Sequence, residues 1–372
     1  MPMGKNDEWL TALQRNNAQE ERPSDVGAIQ LLQSSKLVGP IQVAFDLTNK
    51  CNFRCLHCYN LSGTNLVVAD ELEDNEVLKF IKEIAGMKIF NFCWCGGEPL
   101  MRQKLLCRAT EILAESGVMV SLVTNGSLVT CEKVKILKKS GIRRVQVSLD
   151  GAKKETHERL RPFKNAFGKA IDAISQFLEA GYDEVMVAFT PTAFNYSEID
   201  EVANLCEEMG VSFLRVQPLM ILGRAQINIR ELLPTAQQYR RLVGRIRQIN
   251  QAIGRELIQW GDPVDHLIRF STTLESCCPY VNIRANGDIV PSPYLPLVLG
   301  NLRNHPFKEY WRRGFARIWE LPTVKEFAGM IHSTLQLGKH EEGAPNVWFD
   351  KDISLDFIDK KLFNSLRQIS KN

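Results

Sequence analysis

Short apolar runs alternate with longer amphipathic stretches between Ile41 and Pro218. Six of the apolar runs have the character of β-strands, at residues 41–47, 88–95, 118–124, 143–149, 183–190 and 212–219. The stretches between them carry helical periodicity, and in one of them Leu78, Ile81 and Ile84 share a face. Strands that alternate with helices form βαβ units, whose right-handed crossovers imply a parallel sheet. The pattern therefore predicts an α/β fold with a parallel barrel or part of one.

The pattern differs on both sides of this region. Residues 1–38 are polar and mixed, which favours a short helix followed by a tether. Beyond Pro218 the pattern indicates a basic amphipathic helix, a hairpin that turns at Asn286-Gly287 and a further helical stretch, within residues 223–254, 277–301 and 308–331. We therefore predict four parts, which are an N-terminal tether at 1–38, a barrel at 39–220, a smaller α+β module at 221–338 and a polar tail at 339–372.

Composition and charge limit the class, the partners and the location expected for the protein. Its 372 residues are 44% hydrophobic and 24% charged, as is usual for a globular chain with a substantial core. The formal net charge of +3 is too small to indicate a nucleic-acid partner. Because the sequence contains no apolar run of about 18 residues and no apolar signal core at its start, we expect neither membrane insertion nor secretion. In the predicted cytoplasmic location, ten cysteines indicate metal or redox chemistry more than disulfides.

Unusual residues follow four of the predicted strands. Cys51, Cys55 and Cys58 come after the first strand in the order C-x3-C-x2-C. The segments CGGEPL, TNGS and SLDG end the second, third and fourth strands, at residues 95–100, 124–127 and 148–151. Functional groups collect at the carboxyl ends of parallel strands, because loops and helix N-termini converge there. We therefore expect all four motifs to share one rim of the sheet.

The three cysteines lack a fourth ligand of their own kind. Three thiolates can hold three irons of a [4Fe-4S] cluster and leave the fourth iron open to a small chelating molecule. Gly96 and Gly97 permit close backbone approach to such a molecule, and Glu98 can accept a hydrogen bond from an ammonium group. A hydroxyl, a carboxylate and a guanidinium complete an amino-acid-shaped pocket, from Ser148, Asp150 and Arg161. The alternative is a zinc site with His57 as the fourth ligand, which leaves GGEP unexplained.

Together these motifs resemble the radical S-adenosylmethionine (radical SAM) enzymes over residues 41 to about 218. The resemblance implies a partial (β/α)6 parallel barrel in which Cys51, Cys55 and Cys58 ligate a [4Fe-4S] cluster, and the amino and carboxylate groups of SAM bind the open iron. An electron from the cluster would cleave SAM to methionine and a 5'-deoxyadenosyl radical, which abstracts hydrogen from a substrate. The resemblance also implies a flavodoxin- or ferredoxin-type electron donor.

The same match implies a SAM-binding role for seven residues. Tyr59 is expected on the adenine side, and Gly97 and Glu98 at the amino group of the methionine part. Ser148 and Arg161, the latter placed by the H-x3-R spacing from His157, are expected at the carboxylate or ribose. Gly96 and Asn125, from the GGEP and TNG motifs, complete the predicted SAM-binding set.

The second module resembles the SPASM or twitch extension of peptide maturases and some cofactor-synthesis enzymes. Its sequence departs from that pattern, because Ser292 replaces the second expected cysteine and no cysteine follows Cys278. Cys277 and Cys278, even with Cys206, make a poor cluster-ligand set. We therefore predict the fold of the extension without auxiliary clusters, so that the chain holds one [4Fe-4S] cluster. Either one of Cys277 and Cys278 is a hydrogen or electron donor near the substrate, or both are relics of a lost cluster. Cys93 and Cys95 are predicted to be packing residues.

The predicted function is radical modification of a ribosomally made precursor peptide, by crosslinking, epimerisation or excision. Tailoring of a small molecule or cofactor precursor is the alternative within enzymes. A non-enzymatic iron-sulfur or zinc protein is the alternative from another class, and it has no use for the pocket that includes Glu98, Ser148 and Asp150. Because residues 1–38 are too short for a peptide-recognition domain, a peptide substrate would need a separate recognition protein or the C-terminal module.

Overall fold

The computed structural model describes residues 37–63, 70–262, 264–272, 278–334, 352–356 and 358. Most of the predicted tether and tail, together with Cys277, lies outside the described residues. The strands are β1 Gln42–Thr48, β2 Asn91–Gly96, β3 Met119–Thr124, β4 Ile142–Ser148, β5 Glu184–Phe189, β6 Phe213–Val216, β7 Ile258–Trp260, β8 Tyr280–Ile283, β9 Asp288–Val290, β10 Leu297–Val298, β11 Gly300–Asn301 and β12 Ile353–Ser354.

The helices connect and cover these strands. They are α1 Asp74–Ala85, α2 Gln103–Glu115, α3 Cys131–Ser140, α4 Lys154–Leu160, α5 Ala166–Glu179, α6 Ile199–Met209, α7 Arg224–Ile227, α8 Ile229–Leu232, α9 Ala236–Ile253, α10 Asp265–Thr272, α11 Phe307–Arg312 and α12 Pro322–Gly329. Within the described residues, three 3-10 helices lie at Pro99–Arg102, Tyr196–Glu198 and Phe315–Glu320. Among the described residues, no helix is both long and apolar enough to cross a lipid bilayer.

Ten strands form one sheet in the order β11-β9-β8-β1-β2-β3-β4-β5-β6-β7. All pairs from β1 to β7 are parallel, and each of the six predicted strands overlaps one of β1 to β6. The predicted α/β fold with a mostly parallel sheet is therefore confirmed. The sequence pattern missed β7, because its three residues are too few to show an alternation.

The two faces of the sheet differ in chemistry. On one face, buried residues such as Phe45 and Trp94 pack against the helices. The rings of Phe45 and Phe80 of α1 stack 5.6 Å apart, and the Trp94 indole N–H donates to Thr110 Oγ1 of α2 at 2.9 Å. The alternate positions of the same strands carry small and polar side chains that stay half-buried, among them Ala44, Asp46, Cys93, Cys95 and Ser121. We call this second face the open face.

The second module extends the sheet beyond β1. β8 pairs in parallel with β1, from Gln42 opposite Tyr280 to Phe45 opposite Ile283, and β9 then pairs antiparallel with β8. The predicted hairpin is therefore present. At its turn the Gly287 N–H donates to the Arg284 carbonyl at 2.9 Å, and Gly287 has a φ of +89°, which favours glycine.

The predicted helical stretch at 308–331 is not one helix. It is divided into α11, the 3-10 helix Phe315–Glu320 and α12. Gly314, with a φ of +125°, ends the helical path between α11 and the 3-10 helix. Pro322 begins α12 at a position where its missing N–H costs nothing. The basic amphipathic helix is continuous as α9, whose first turn is closed by a capping box between Thr235 and Gln238.

Candidate active site

The loop after β1 carries the three predicted cluster cysteines. Within it the Phe53 N–H donates to Cys51 Sγ at 3.4 Å, and the Cys58 N–H donates to the Cys55 carbonyl at 3.3 Å. Phe53 stacks on Phe163 at 4.5 Å and shields the loop from one side. Burial raises the pKa of Cys51 and raises that of Cys55 to about 12. Because metal ligands must be deprotonated, thiols in this environment need a strongly positive partner to ionise.

The donor set of this loop fits a [4Fe-4S] cluster better than zinc. His57, the fourth ligand of the zinc alternative, points elsewhere, because its Nε2 lies 3.2 Å from Asp150 Oδ2. Within the described part of the chain, no three His, Cys, Asp or Glu side chains converge as one metal ion requires. The charges of the Cys51, Cys55 and Cys58 sulfurs nevertheless act on one another. Three neighbouring thiols without a fourth ligand fit three corners of a cubane whose last iron is open.

The GGEP loop packs directly on the cysteine loop. The Gly97 N–H donates to the Thr48 carbonyl at 2.7 Å, and the Glu98 N–H donates to the Lys50 carbonyl at 2.9 Å. A Cβ atom at Gly97 would collide with the Lys50 carbonyl oxygen, and Gly96 has a φ of +113°. Both glycines are therefore needed for the two loops to meet.

Glu98 joins the GGEP and TNG motifs. Its fully buried carboxylate accepts from the Leu100 N–H at 3.1 Å, from Thr124 Oγ1 at 2.9 Å and from the Asn125 N–H at 2.8 Å. Burial raises the pKa of Glu98, and these three donors partly offset that rise. A carboxylate offers about four acceptor positions, so about one remains for a bound ammonium group. Asn125 continues the connection, because its Nδ2 donates to Cys51 Sγ at 3.9 Å.

A second connection runs from Asp150 to Cys55. Asp150 is fully buried, and its Oδ2 accepts from Arg161 Nε at 2.6 Å while its Oδ1 accepts from the Thr190 N–H at 2.8 Å. Burial alone would raise the pKa of Asp150, but Arg161 and then His57 hold it well below its ordinary value. Arg161 Nη1 donates to Cys55 Sγ at 3.5 Å. The guanidinium thus bridges a buried carboxylate and a predicted cluster ligand.

Helix α4 explains the H-x3-R spacing. One helical turn separates His157 from Arg161, whose N–H donates to the His157 carbonyl at 2.9 Å, so both side chains approach Asp150. His157 Nδ1 accepts from the Asp150 N–H at 3.0 Å, which assigns the ring proton to Nε2. Burial and the nearby Arg161 lower the pKa of His157 to about 4. The ring is therefore neutral near pH 7.

The remaining predicted site residues lie on the open face or at its rim. Ser148 ends β4, where it pairs with Ala188 of β5. Tyr59 follows Cys58 in the chain and lines a small cavity with Asp46 and Cys95. Burial raises the pKa of Asp46 to about 7, against the opposing effect of Arg284. The central position of Asp150 was signalled by SLDG, whereas nothing in the sequence indicated that Asp46 borders this cavity.

In the second module, the position expected for a cluster cysteine has a polar contact instead. Ser292 is fully buried, with its Oγ 2.9 Å from His266 Nε2, and it accepts from the Tyr294 N–H at 3.1 Å. Cys278 is also buried, and its thiol donates to the Tyr280 carbonyl at 3.1 Å. Both side chains therefore form hydrogen bonds within the module.

Comparison with known proteins identifies a family match over the region that holds these motifs. Residues 45–208 match the family described as Radical SAM superfamily. Residues 45–208 are therefore a radical SAM domain. The chain is 29% identical to the AdoMet-dependent heme synthase of Methanosarcina barkeri over 294 residues, which cover 73% of this chain and 82% of that relative. It is 32% identical to the mycofactocin maturase MftC of Mycolicibacterium smegmatis over 206 residues, and spans about half the length of that protein.

Solved structures share the fold of this chain. Streptococcus suis SuiB bound to S-adenosylmethionine superposes with a TM-score of 0.63 at 14% identity, covering 89% of this chain and 86% of SuiB. The enzyme anSMEcpe with bound AdoMet gives a TM-score of 0.60 at 18% identity, covering 90% of this chain and all of the other. The predicted membership of the radical SAM superfamily, the likeness to its peptide-maturase-like branch and the prediction of an enzyme are confirmed. The family implies a [4Fe-4S] cluster and SAM.

Proposed function

We propose that this radical SAM enzyme holds one [4Fe-4S] cluster on Cys51, Cys55 and Cys58 and binds SAM at the open iron. When bound, the cluster and SAM supply a one-electron cleavage that yields methionine and a 5'-deoxyadenosyl radical, which abstracts hydrogen from substrate. The observation that carries the proposal is the pair of hydrogen bonds that reach the thiols, from Asn125 to Cys51 and from Arg161 to Cys55. Through these two bonds, the TNG motif and the H-x3-R residues act on one metal site.

The surrounding side chains have separate tasks in this proposal. Glu98 accepts from the amino group of SAM with its remaining acceptor position, while Gly96 and Gly97 let the backbone approach it. Arg161, held by Asp150, places positive charge beside the Cys55 thiolate, and hydrogen bonds to cluster sulfurs shift reduction potentials. On the family pattern, Ser148 contacts the carboxylate or ribose and Tyr59 the adenine side.

The proposed cluster count is one. The engagement of Ser292 with His266, and of Cys278 with a strand carbonyl, supports a second module without a cluster. Anaerobic reconstitution followed by iron analysis tests this count. About four irons per chain are expected, and about eight would contradict the proposal.

A precursor peptide is the proposed substrate. Its support is the likeness to MftC, which is named a maturase, and to SuiB, whose structure was determined bound to its precursor peptide SuiA. We propose that a flavodoxin- or ferredoxin-type protein supplies the electron and that a separate protein presents the peptide. A small tetrapyrrole is the second candidate, because the similarity to the heme synthase extends over 82% of that relative.

The decisive experiment uses the cluster-loaded protein with SAM and dithionite, and measures 5'-deoxyadenosine. We expect its formation, and a loaded protein that forms none would contradict the radical function. Peptides encoded beside the gene and an iron porphyrin carboxylate are then added in parallel. The substrate is the compound that raises 5'-deoxyadenosine formation and changes its own mass, and the other compound serves as its control.

A further inference from the structure

Two thiols lie side by side on the open face of the sheet. Cys93 and Cys95 occupy alternate positions of β2, and their sulfur atoms are 3.3 Å apart. Both side chains are only partly buried. Residues predicted to be inert packing thus form an accessible dithiol, for which the proposed function has no use so far.

The position of the pair connects it to the proposed SAM site. Cys95 directly precedes Gly96 of the GGEP loop, and it lines a cavity together with Tyr59, the residue after Cys58. In the sheet, Cys95 is the neighbour of Asp46, while Cys93 lies one step further from the rim, between Ala44 and Ser121. Cys95 is therefore the nearer thiol to a radical generated at the rim, and Cys93 lies behind it.

The contact between the two sulfurs makes their acidities unequal. The hydrogen bond from Cys95 lowers the pKa of Cys93 against the opposing effect of burial, and the nearby Arg215 lowers it further. The same hydrogen bond, together with burial, raises the pKa of Cys95 well above its ordinary value. Cys93 is therefore the more readily ionised of the two thiols and Cys95 the one that keeps its S–H group, so Cys95 is the better hydrogen-atom donor and Cys93 the better electron donor.

We propose that Cys95 donates a hydrogen atom to a carbon radical at this site and that Cys93 captures the resulting thiyl radical. The inference rests on the proposed function, which supplies the carbon radical. It assigns to this chain a reduction step, in which the substrate radical is quenched by the protein. An S–H bond is weaker than an ordinary aliphatic C–H bond, so transfer to an unstabilised aliphatic carbon radical, including the 5'-deoxyadenosyl radical itself, is downhill.

The step balances as follows. The Cys95 S–H bond breaks homolytically and a C–H bond forms on the substrate. The Cys95 thiyl and the Cys93 thiolate form an S–S bond, and the extra electron of this disulfide radical anion reduces the oxidised flavodoxin- or ferredoxin-type carrier. A disulfide remains, and a dithiol reductant restores both thiols by exchange while becoming a disulfide itself.

Strand geometry favours rapid reversal of the disulfide. Residues two apart on a strand have Cα atoms about 6.6 Å apart, near the upper limit for a disulfide. The sulfurs must approach by about 1.3 Å, from 3.3 Å to the S–S bond length of about 2.05 Å. A disulfide at the limit of its range is more easily reduced, as a recycled donor requires.

The first test needs no substrate. The cluster-loaded chain is incubated in D2O with SAM and dithionite, without added thiols, and the deuterium content of 5'-deoxyadenosine is measured. Because S–D exchanges with solvent and carbon-bound hydrogen does not, we expect one deuterium per molecule. Cys95→Ser should lose this deuterium. Cys107→Ser, which removes a half-buried thiol on α2, should retain it.

The measured quantity is deuterium per 5'-deoxyadenosine formed, so a slower variant remains informative. Tyr59 and Tyr294 lie near Cys95 and also carry exchangeable hydrogens. Tyr294→Phe is expected to retain the deuterium. Deuterium that persists in Cys95→Ser would overturn the proposal, because another residue would then be the donor.

The second test measures the oxidation of the two thiols directly. The holoenzyme is equilibrated anaerobically with mixtures of oxidised and reduced dithiothreitol, alkylated and digested with trypsin. Cys93 and Cys95 share the tryptic peptide 89–102, while Cys107 falls in the peptide 105–108. We expect the first peptide to lose two hydrogens and escape alkylation, and the second to stay alkylated. A fully alkylated 89–102 peptide in the most oxidising mixture would contradict the paired role.

The two levels of proposal fail differently. If the loaded protein forms no 5'-deoxyadenosine, the proposed function fails. If it forms 5'-deoxyadenosine without deuterium and the dithiol resists oxidation, the function stands and only the role of Cys93 and Cys95 is lost.

Discussion

At the residue scale, Asp150 connects more parts of the site than its place in the SLDG motif suggests. A buried carboxylate is costly unless it is paired and hydrogen-bonded. Asp150 meets both conditions through Arg161 and the Thr190 N–H, and the same guanidinium reaches Cys55. The structural requirement for a buried ion pair thus orients a donor toward Cys55, the proposed cluster ligand.

Removing the guanidinium should expose this dependence. In Arg161→Ala the Asp150 carboxylate is left buried without its main partner, which is expected to cost roughly 3–5 kcal/mol of unfolding free energy. Chemical denaturation measures the loss. The matched control is Arg159→Ala on the same helix, whose exposed ion pair with Glu231 should contribute only about 0–1 kcal/mol. Equal losses in the two variants would argue against the buried pair.

His157 gives the site a pH dependence. Its folded pKa of about 4 lies below the ordinary value of 6.5, so the unfolded chain binds more protons between these values. Stability should therefore rise with pH from about 4 to 6.5, by up to about 3 kcal/mol from this residue. His157→Asn should flatten the slope in urea unfolding across that window. An unaltered slope in His157→Asn would contradict this assignment.

Sequence alone indicated the cysteine loop, GGEP, TNG and SLDG, because each motif is local and follows a recognisable strand. It did not indicate that Arg161 would contact Cys55, since these residues are 106 positions apart and meet only when the sheet has formed. The contact between Cys93 and Cys95 was missed for another reason. Alternation placed the two on one face, but whether that face is packed depends on the tertiary structure.

At the element scale, the sequence predicted the strands and turns that depend on short-range patterns. The six parallel strands and the Asn286-Gly287 hairpin follow from periodicity and turn residues. The helical stretch expected over 308–331 is present, but Gly314 and Pro322 divide it into three shorter helices. The pairing of β8 with β1 had no sequence signal at all.

Two glycines should respond oppositely to the same substitution. Gly287→Ala forces a side chain into a φ of +89° and places its Cβ 3.1 Å from Leu72, so we expect a loss of about 1–2 kcal/mol. Gly244 lies inside α9 with no atom near its missing Cβ, and Gly244→Ala should stabilise the protein by about 0.5–1 kcal/mol. Thermal unfolding compares the two. A stabilising Gly287→Ala would contradict the left-handed turn.

At the scale of the whole molecule, the ten-stranded sheet joins the radical SAM domain and the second module. β1 has β2 on one side and β8 on the other, so its backbone hydrogen bonds are completed from both parts of the chain. The division at residue 220 predicted from sequence is therefore crossed by backbone hydrogen bonds.

A chain that ends at residue 262 should associate. It lacks β8, β9 and β11, and it exposes the edge of β1 as an unpaired strand, which is a template for pairing between chains. Sedimentation velocity should show oligomers. A chain that ends at residue 358 retains all the described strands and is the control. A monomeric, cooperatively unfolding 262-residue chain would show that the β1 edge is protected in some other way.

The same β1 pairing also has a consequence in time. Gln42 cannot pair with Tyr280 until that residue has been synthesised, 238 residues later. At translation rates of about 5–20 residues per second, this interval is on the order of 10–50 s. The nascent chain therefore emerges with one edge of its first strand unpaired for most of its synthesis. The speed of the ribosome between residues 42 and 280 then becomes a determinant of how much enzyme reaches the native state.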